Sequence, residues 1–451
     1  MTIPSLSRGL RCTLIATLAL AAGANFLPAQ QPEKPVRDYS LSDDTIEEMA
    51  KYKAAEEKKD FAGAIAIVEA RMAKIQDQNS YDYAMLLEYK AQAMMQNNDF
   101  IGAIVPLERG LEISDAHTPT YQDENTTQTL IYYLAQLYFQ KALNEKTGPN
   151  IPTYYDKAEH YIARWLKTTK KPTLDALNFY SSLLYNRAIL DQNHPDKEKL
   201  KQAMKIADDA LHLSIHPKDN LYILKLACLS QLEDFQGAID ILELLVKMNP
   251  ESKTYWNQLL PMYVQTNQDV RAIVTYERAQ ALGQLNAPKD NYNLVGLYFN
   301  LGQFEHAGVL LEKGLHNNTI EEDQKNWELL SFCYQQLDRP FKAIDVLKEA
   351  AKRFPEAAQL EYLIGQNYYS LGKNEEAMNH LKICADKGGG NRPSQTYMFL
   401  AYVSFELKKY DVALAAANKA ATYPDSKDKA ASMKKAIESA QQQREEKLKK
   451  M

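Results

Sequence analysis

The sequence predicts an all-α protein built as a solenoid of tandem helix hairpins. Three observations predict this class. Good helix formers dominate, and only 17 Gly and 18 Pro occur in 451 residues. Apolar residues recur at helical spacing over most of the chain, and no segment shows sustained period-two alternation. A pattern of aromatic and small residues also returns about every 34 residues, which is typical of repeat architectures.

The clearest copy of the repeated pattern begins at Trp327. Trp327, Leu330 and Tyr334 share one face of a predicted first helix, because they are spaced i, i+3 and i+7. Ala343 and Ala350 follow on a predicted second helix, where small side chains allow two helices to cross closely. The corresponding small residues of four successive first helices are Gly296, Ser331, Gly365 and Ala401.

The two tryptophans of this pattern are interpreted as core residues rather than as parts of a binding site. Trp256 and Trp327 both lie on the face that is expected to meet the second helix. After Trp327, the stretch "QQLDRP" predicts a turn in which Asp338 caps the second helix. Pro340 fits the first turn of that helix, where its missing N–H has no cost.

This spacing resembles the tetratricopeptide repeat (TPR), which reads W-x2-L-G-x2-Y, then A-x3-F and a late Pro. The resemblance covers roughly residues 45 to 427 and is clearest from residue 219 onward. It implies a right-handed α-solenoid of tandem TPR helix hairpins. It also implies that the concave face, lined mainly by the first helices, binds peptides or protein partners.

The chain divides into five predicted segments. Residues 1–29 read as a signal peptide, because Arg8 and Arg11 precede the apolar run "CTLIATLALAAG" and small residues follow it. We expect export to the periplasm and a mature chain that begins between Asn25 and Gln30. No later segment has the roughly 18 continuous apolar residues of a membrane helix. The remaining segments are a polar leader (30–44), degenerate TPR-like hairpins (45–217), a regular TPR array (218–427) and a polar capping helix (428–451).

The stretch "KALNEKTGPNIPT", residues 141–153, is longer than the repeat pattern requires. It is expected to form a lengthened loop within the third hairpin. Insertions in repeat proteins fall in loops on one face, where they are either tolerated or functional. Both readings stay open from the sequence.

The sequence offers no catalytic constellation, and the protein is predicted not to be an enzyme and to need no cofactor or metal. His212 and His216 stand at i, i+4, but no Glu and no third ligand accompany them. Cys228, Cys333 and Cys384 form no CxxC pair and are expected to be small buried hydrophobes. The net charge of −5 argues against nucleic acid as the main partner.

Candidate partner-binding residues are those of the first helices that lie off the packing stripe. Their lining is aromatic and rich in amides, which suits a peptide backbone. The same aromatics could instead pack against neighbouring repeats. The predicted groove residues are Asn257, Gln265, Phe332, Gln335, Tyr362, Gln366, Tyr369, Tyr402 and Phe405.

A second resemblance concerns the cellular role. The signal peptide, "YWNQLLPMY", "NWELLSFCY" and "RPSQTYMFLAYVSFELKKYDVALAAANKA" are similar to segments of periplasmic TPR proteins that accompany TonB-type energy-transduction systems. The resemblance implies a periplasmic scaffold that binds a protein or peptide in the cell envelope and serves TonB-dependent transport. The alternative is a protein that binds an envelope glycan or another small ligand in a local pocket.

Overall fold

The computed structural model describes residues 37–145, 147–215 and 217–450. Every regular element in these ranges is an α-helix. The predicted all-α fold of tandem helix hairpins is confirmed, because short connections make consecutive helices antiparallel neighbours within residues 43–172 and within residues 173–450. The predicted signal peptide and residues 30–36 of the predicted leader lie outside the described residues.

The helices fall into two compact units, one ending at Pro172 and one beginning at Thr173. In the first unit the helices are α1 (Asp43–Glu57), α2 (Phe61–Met72), α3 (Tyr81–Gln96), α4 (Ile104–Asp115), α5 (Glu124–Asn144) and α6 (Ile151–Thr168). In the second unit they are α7 (Leu174–Ala188), α8 (Lys197–Leu211), α9 (Asp219–Gln231), α10 (Phe235–Met248), α11 (Lys253–Gln265), α12 (Asp269–Ala281), α13 (Pro288–Asn300), α14 (Phe304–His316), α15 (Gln324–Gln336), α16 (Pro340–Arg353), α17 (Ala358–Ser370), α18 (Asn374–Asp386), α19 (Pro393–Glu406), α20 (Tyr410–Ala420) and α21 (Lys427–Lys450).

Each hairpin from α9 to α20 turns through one residue with positive φ, placed between its first and second helix. Such a left-handed residue ends the first helix and reverses the chain. Glycine adopts this conformation without strain, which explains the glycines of two of the turns. The turn residues are Glu233, Asn267, Gly302, Asp338, Gly372 and Lys408, with φ between 54° and 70°.

The prediction that Asp338 caps the second helix is wrong. Asp338 has φ of 54° and forms the left-handed turn, while the N-cap of α16 is Arg339, which makes no side-chain cap. The chain needs a left-handed residue here more than a cap, and Asp tolerates that conformation. Pro340 occupies the start of α16, as predicted.

The insertion at 141–153 is not a continuous loop, contrary to the prediction. Helix α5 extends to Asn144 and α6 starts at Ile151, so much of the extra sequence lengthens the two helices. Lys141 and Ala142 favour helix, and Pro152 stands in the first turn of α6, where it is tolerated.

The core of the second unit runs along the interfaces between consecutive helices. Trp256 and Trp327 are both fully buried within one cluster, which confirms that they are core residues. The indole N–H of Trp256 donates to the carbonyl oxygen of Pro250 at 2.8 Å. Trp256 and Trp327 are the largest fully buried side chains of the described residues, so each contributes strongly to the stability of its hairpin.

A tyrosine at the end of three successive first helices joins each hairpin to the one before it. The hydroxyl groups of Tyr263, Tyr298 and Tyr334 donate to glutamates on α10, α12 and α14 at 2.5, 2.5 and 2.6 Å. Burial and this hydrogen bond to a carboxylate raise the pKa of Tyr263 and of Tyr298 to about 12. These bonds fix the register between neighbouring hairpins. The accepting residues are Glu243, Glu277 and Glu312.

The last helix covers the end of the array. Ala430 and Ile437 of α21 are buried, and Met433 packs against the same cluster, which α19 and α20 supply. Residues 442–446 are exposed. The first part of α21 therefore covers the apolar face that the last hairpin would otherwise leave open.

Candidate functional site

Four aromatic side chains form one patch on the neighbouring first helices α17 and α19. The rings of Tyr362 and Tyr369 lie 6.1 and 5.2 Å from that of Phe399, both edge to face. The ring of Tyr402 lies 6.1 Å from that of Tyr369, also edge to face. We call these four residues the aromatic patch. Edge-to-face pairs of this kind hold aromatic rings in fixed positions.

The aromatic patch remains open to solvent at Tyr402, which is 45% exposed. Gln366 is exposed one turn after Tyr362 on the same face of α17. Contacts of the Tyr402 hydroxyl with Tyr369 and with Glu406 raise the pKa of Tyr402 far above its usual value. The patch therefore presents neutral phenols and an amide beside apolar rings, a combination that suits a peptide chain.

A second aromatic group is centred on α15, one first helix before α17. Phe332 of α15 is exposed, and its ring is 5.7 Å from Phe299 and 6.3 Å from Phe304. The sequence left open whether such aromatics line a groove or pack against neighbouring repeats. Phe332 and the rings of the aromatic patch pack against neighbouring helices, and Phe332 and Tyr402 also keep part of their surface exposed.

The structure does not bring the remaining predicted groove residues into this patch. Asn257 and Gln265 are exposed on α11, three first helices before α17. Gln335 donates from its amide to Oδ1 of Asn367 at 3.0 Å, so it joins α15 to α17. Phe405 is half-buried and packs against Tyr410 of its own hairpin, with ring centroids 6.1 Å apart.

The sequence reasoning missed Phe399. The ring of Phe399 touches two of the predicted tyrosines and is the centre of the patch. A signal was present, since Phe399 stands three residues before Tyr402 and shares its side of α19.

The cysteines and histidines of the described residues form no reactive group. Cys228, Cys333 and Cys384 are free and buried, which confirms the prediction. Burial raises the pKa of Cys228 to about 12 and that of Cys333 to about 11, so both thiols stay protonated at neutral pH. His212 follows the end of α8, and His216 lies outside the described residues.

The described ranges hold neither a cluster of metal-ligating side chains nor a helix fit to span a membrane. No three His, Cys, Asp or Glu side chains gather in a way that could hold a metal ion in these ranges. No helix within them combines the length and the apolar character that a membrane span requires.

Comparison with known proteins gives one weak relative by sequence. No protein-family model matches the chain. The chain is similar to a peroxisomal targeting signal receptor of Candida glabrata, with 27% identity over 174 residues. That match covers 38% of this chain and 29% of the relative, so the chain spans less than a third of the receptor's length.

Several solved helical-repeat structures are similar over parts of the chain. YrrB, a TPR protein with an unusual peptide-binding site, is 18% identical with a TM-score of 0.33, covering 43% of this chain and 97% of its own. MamA is 20% identical with a TM-score of 0.29, covering 36% and 93%. The APC/C hetero-tetramer Cut9–Hcn1 is 12% identical with a TM-score of 0.29, covering 88% and 96%. At these scores the likeness carries no argument about function.

Proposed function

We propose that this chain is a protein-interaction scaffold that binds an extended segment of a partner on its aromatic patch. The carrying observation is the group of Tyr362, Tyr369, Phe399 and Tyr402, held edge to face on α17 and α19 and still partly exposed. Tyrosine is a frequent anchor at interfaces because it buries area and keeps a hydrogen-bonding tip. The weak relative is a targeting signal receptor, which agrees with recognition of another protein.

The test is a selection of peptides from a random displayed library on the full chain. Selected peptides should lose at least about thirtyfold in affinity when Tyr402→Ala and Gln366→Ala are combined, since a lost hot spot typically costs about 2 kcal/mol. These two side chains are exposed, so the helical melt should stay unchanged. Tyr292→Ala is the matched control, because Tyr292 is 41% exposed on α13.

Two outcomes would contradict the proposal. One is a library that yields no binding peptide. The other is a set of peptides whose affinity is the same for the double variant and for wild type. Binding of an envelope glycan that shows the same sensitivity to the double change would instead favour the alternative function.

We propose further that the scaffold is exported to the periplasm. The proposal rests on the order of basic, apolar and small residues in 1–29. N-terminal sequencing of the protein from cells should find a start between Asn25 and Gln30. Recovery of the chain in the cytosol with Met1 still present would contradict it.

The finer part of the proposal is service to a TonB-type system, and it rests on the resemblance of the quoted segments alone. A photo-crosslinking residue placed at position 402 in living cells should capture a component of such a system. The same residue placed at position 292 is the control. Equal capture from both positions would contradict this role.

A further inference from the structure

A separate groove lies between the second helices α10 and α12, above the first helix α11. It encloses a cavity of about 300 Å³ whose floor includes the buried rings of Trp256 and Tyr263. Val270 and Val274 of α12 line one wall and are 66% and 59% exposed. Apolar side chains this open, placed over a cavity, are typical of a surface that another molecule covers.

The only acidic side chain that lines this cavity is already paired. Glu243 accepts a hydrogen bond from the Tyr263 hydroxyl at 2.5 Å, and Arg271 binds the same carboxylate. The guanidinium of Arg271 also lies over the Tyr263 ring, 5.0 Å from its centroid. Arg271 is therefore neutralised within the chain.

Two other cations line the cavity without a partner. Lys247 and Arg278 are both exposed at its rim. Neither makes a hydrogen bond or a salt bridge with another side chain in the part of the chain that the structure describes. The groove thus combines an apolar floor with two unpaired positive charges.

The next tryptophan-bearing hairpin, α15 with α16, has side chains paired with one another at the corresponding place. His316 Nε2 lies 3.3 Å from Oε1 of Glu349, and Arg353 binds Glu349 at 2.8 Å. The guanidinium of Arg353 lies over the Trp327 ring, 5.2 Å from its centroid. In this hairpin the carboxylate of Glu349 lies between His316 and Arg353, beside the tryptophan.

The helix before each tryptophan gives the first half of the correspondence. Glu243 of α10 and Glu312 of α14 occupy equivalent positions, because each accepts a hydrogen bond from the tyrosine hydroxyl of the next first helix. Lys247 and His316 each follow these glutamates by four residues. Lys247 therefore occupies the position of His316.

The helix after each tryptophan gives the second half. Arg271 of α12 and Lys342 of α16 both lie over the ring of the preceding tyrosine, at 5.0 and 4.5 Å. Arg278 and Glu349 each follow these cations by seven residues. Arg278 therefore occupies the position of Glu349. Two positive charges, Lys247 and Arg278, stand where the hairpin of α15 and α16 has His316 paired with a carboxylate.

We propose that the groove between α10 and α12 binds an acidic, amphipathic peptide segment of a protein partner, with its carboxylate between Lys247 and Arg278. The partner supplies the carboxylate that Glu349 supplies in the hairpin of α15 and α16. Its apolar side chains cover Val270 and Val274. This site is distinct from the aromatic patch and does not depend on the function proposed for it.

The length of the exposed strip favours a peptide over a small anion. Val270, Val274 and Arg278 follow one another at i, i+4 and i+8, which places them along one side of α12 over about 12 Å. A segment with two apolar side chains one turn apart, followed by Asp or Glu, matches this order. Binding should weaken with salt, because the paired charges are near the surface.

The experiment measures fluorescence anisotropy of short labelled peptides with the full chain. Each peptide carries two leucines four residues apart and a Glu about one turn away. The set varies the spacing between the Glu and the leucines, and it places the Glu either before or after them. Matched peptides carry Gln or Lys instead of Glu. We expect at least one Glu peptide to bind with a Kd below ~1 mM. Its Gln and Lys counterparts should bind at least tenfold more weakly.

The decisive variant is Arg278→Glu, which places a carboxylate beside Lys247 as Glu349 lies beside His316 in the hairpin of α15 and α16. It should lower the affinity for the Glu peptide at least tenfold and leave the melting temperature no lower than that of wild type. The matched control combines Lys313→Gln with Lys352→Gln, two exposed cations on α14 and α16. The control should bind as wild type does.

Three results would overturn the proposal. One is that no Glu peptide binds below ~1 mM. Another is that a Gln peptide binds wild type as tightly as its Glu counterpart does. The same conclusion follows if the Arg278→Glu chain binds the Glu peptide as tightly as wild type does. The last is that free glutarate displaces the peptide at the peptide's own concentration, which would assign the cavity to a small anion instead.

Discussion

Glu361 is a buried carboxylate on α17 that His380 and Lys387 hold in place. Its Oε2 lies 2.7 Å from Nδ1 of His380, and its Oε1 accepts from Lys387 at 3.3 Å. Burial is the largest influence and would raise the pKa of Glu361, but His380 and Lys387 together outweigh it and hold the pKa below its ordinary value. The charged form therefore stabilises the fold.

Glu361→Gln should lower the free energy of unfolding by about 1–3 kcal/mol at neutral pH, because it removes charge-assisted hydrogen bonds. The folded-state pKa lies below the unfolded value of 4.5, so this contribution is complete above pH 4.5 and is lost as the pH falls through the folded-state pKa. Urea melts of wild type and variant over a pH series should show the difference shrinking below pH 4.5. Glu376→Gln, an exposed change on α18, is the control.

A difference between wild type and Glu361→Gln that stays constant from neutral to acid pH would contradict this account. It would show that the side chain acts by its shape rather than by its charge.

At the scale of the helix, two glycines that the sequence assigns to the same position of the repeat meet different surroundings in the structure. A Cβ at Gly365 of α17 would lie 2.9 Å from Cγ of Leu381 and 3.2 Å from the carbonyl oxygen of Ala377. A Cβ at Gly296 of α13 would meet nothing within 4 Å. The close crossing that the repeat pattern predicts is present between α17 and α18. Gly296 stands one residue later in its repeat than Gly365 does, because Gly302 follows Gly296 by six residues and Gly372 follows Gly365 by seven. In α13 the buried Val295 takes the small-residue position.

Gly365→Ala should lower the free energy of unfolding by up to about 2 kcal/mol, since overpacking against a backbone carbonyl outweighs the gain in helix propensity. Gly296→Ala should raise it by about 0.5–1 kcal/mol, because only the propensity changes. Denaturant melts of the two variants side by side measure this. If both variants moved in the same direction, the difference in packing between the hairpins would be wrong.

The sequence predicted the helices and their buried residues well, because the spacing of the repeat is set by how the helices pack. Spacing alone identified Trp256 and Trp327 as core, since one apolar face per helix must be buried. It assigned Gly296 to the small-residue position that Val295 occupies, because a glycine one residue away fits the degenerate spacing as well. It also assigned Asp338 to a cap, since Asp favours both caps and left-handed turns.

The candidate site was less predictable than the fold for a related reason. Periodicity told which residues lie off the packing stripe, and it selected Tyr362, Tyr369 and Tyr402, which meet in the structure. It could not show that Phe399 joins them, because that contact depends on how two first helices are placed. The groove beside Trp256 was missed because its signal is a difference between two repeats, not a motif.

At the scale of the whole molecule, the described helices pack chiefly against their neighbours in sequence. In the second unit, one core cluster extends along α9 to α17 and another along α17 to α21. In such an array, stability is close to a sum of contributions from each hairpin and from its interfaces with the next. A local loss should therefore spread to adjacent hairpins and fade with distance along the chain.

Trp327→Ala should cost about 3–5 kcal/mol locally, because the buried indole fills the space between α15 and its neighbours. Hydrogen exchange followed by mass spectrometry should show faster exchange in α14 to α17 and unchanged exchange in α1 to α6, which belong to the other unit. Val309→Ala, an exposed position on α14, controls for the loss of apolar atoms as such. Faster exchange by the same factor in both units would mean that the chain unfolds as one cooperative body. Unchanged exchange everywhere, with loss of partner binding, would instead place Trp327 in a binding surface and contradict its assignment to the core.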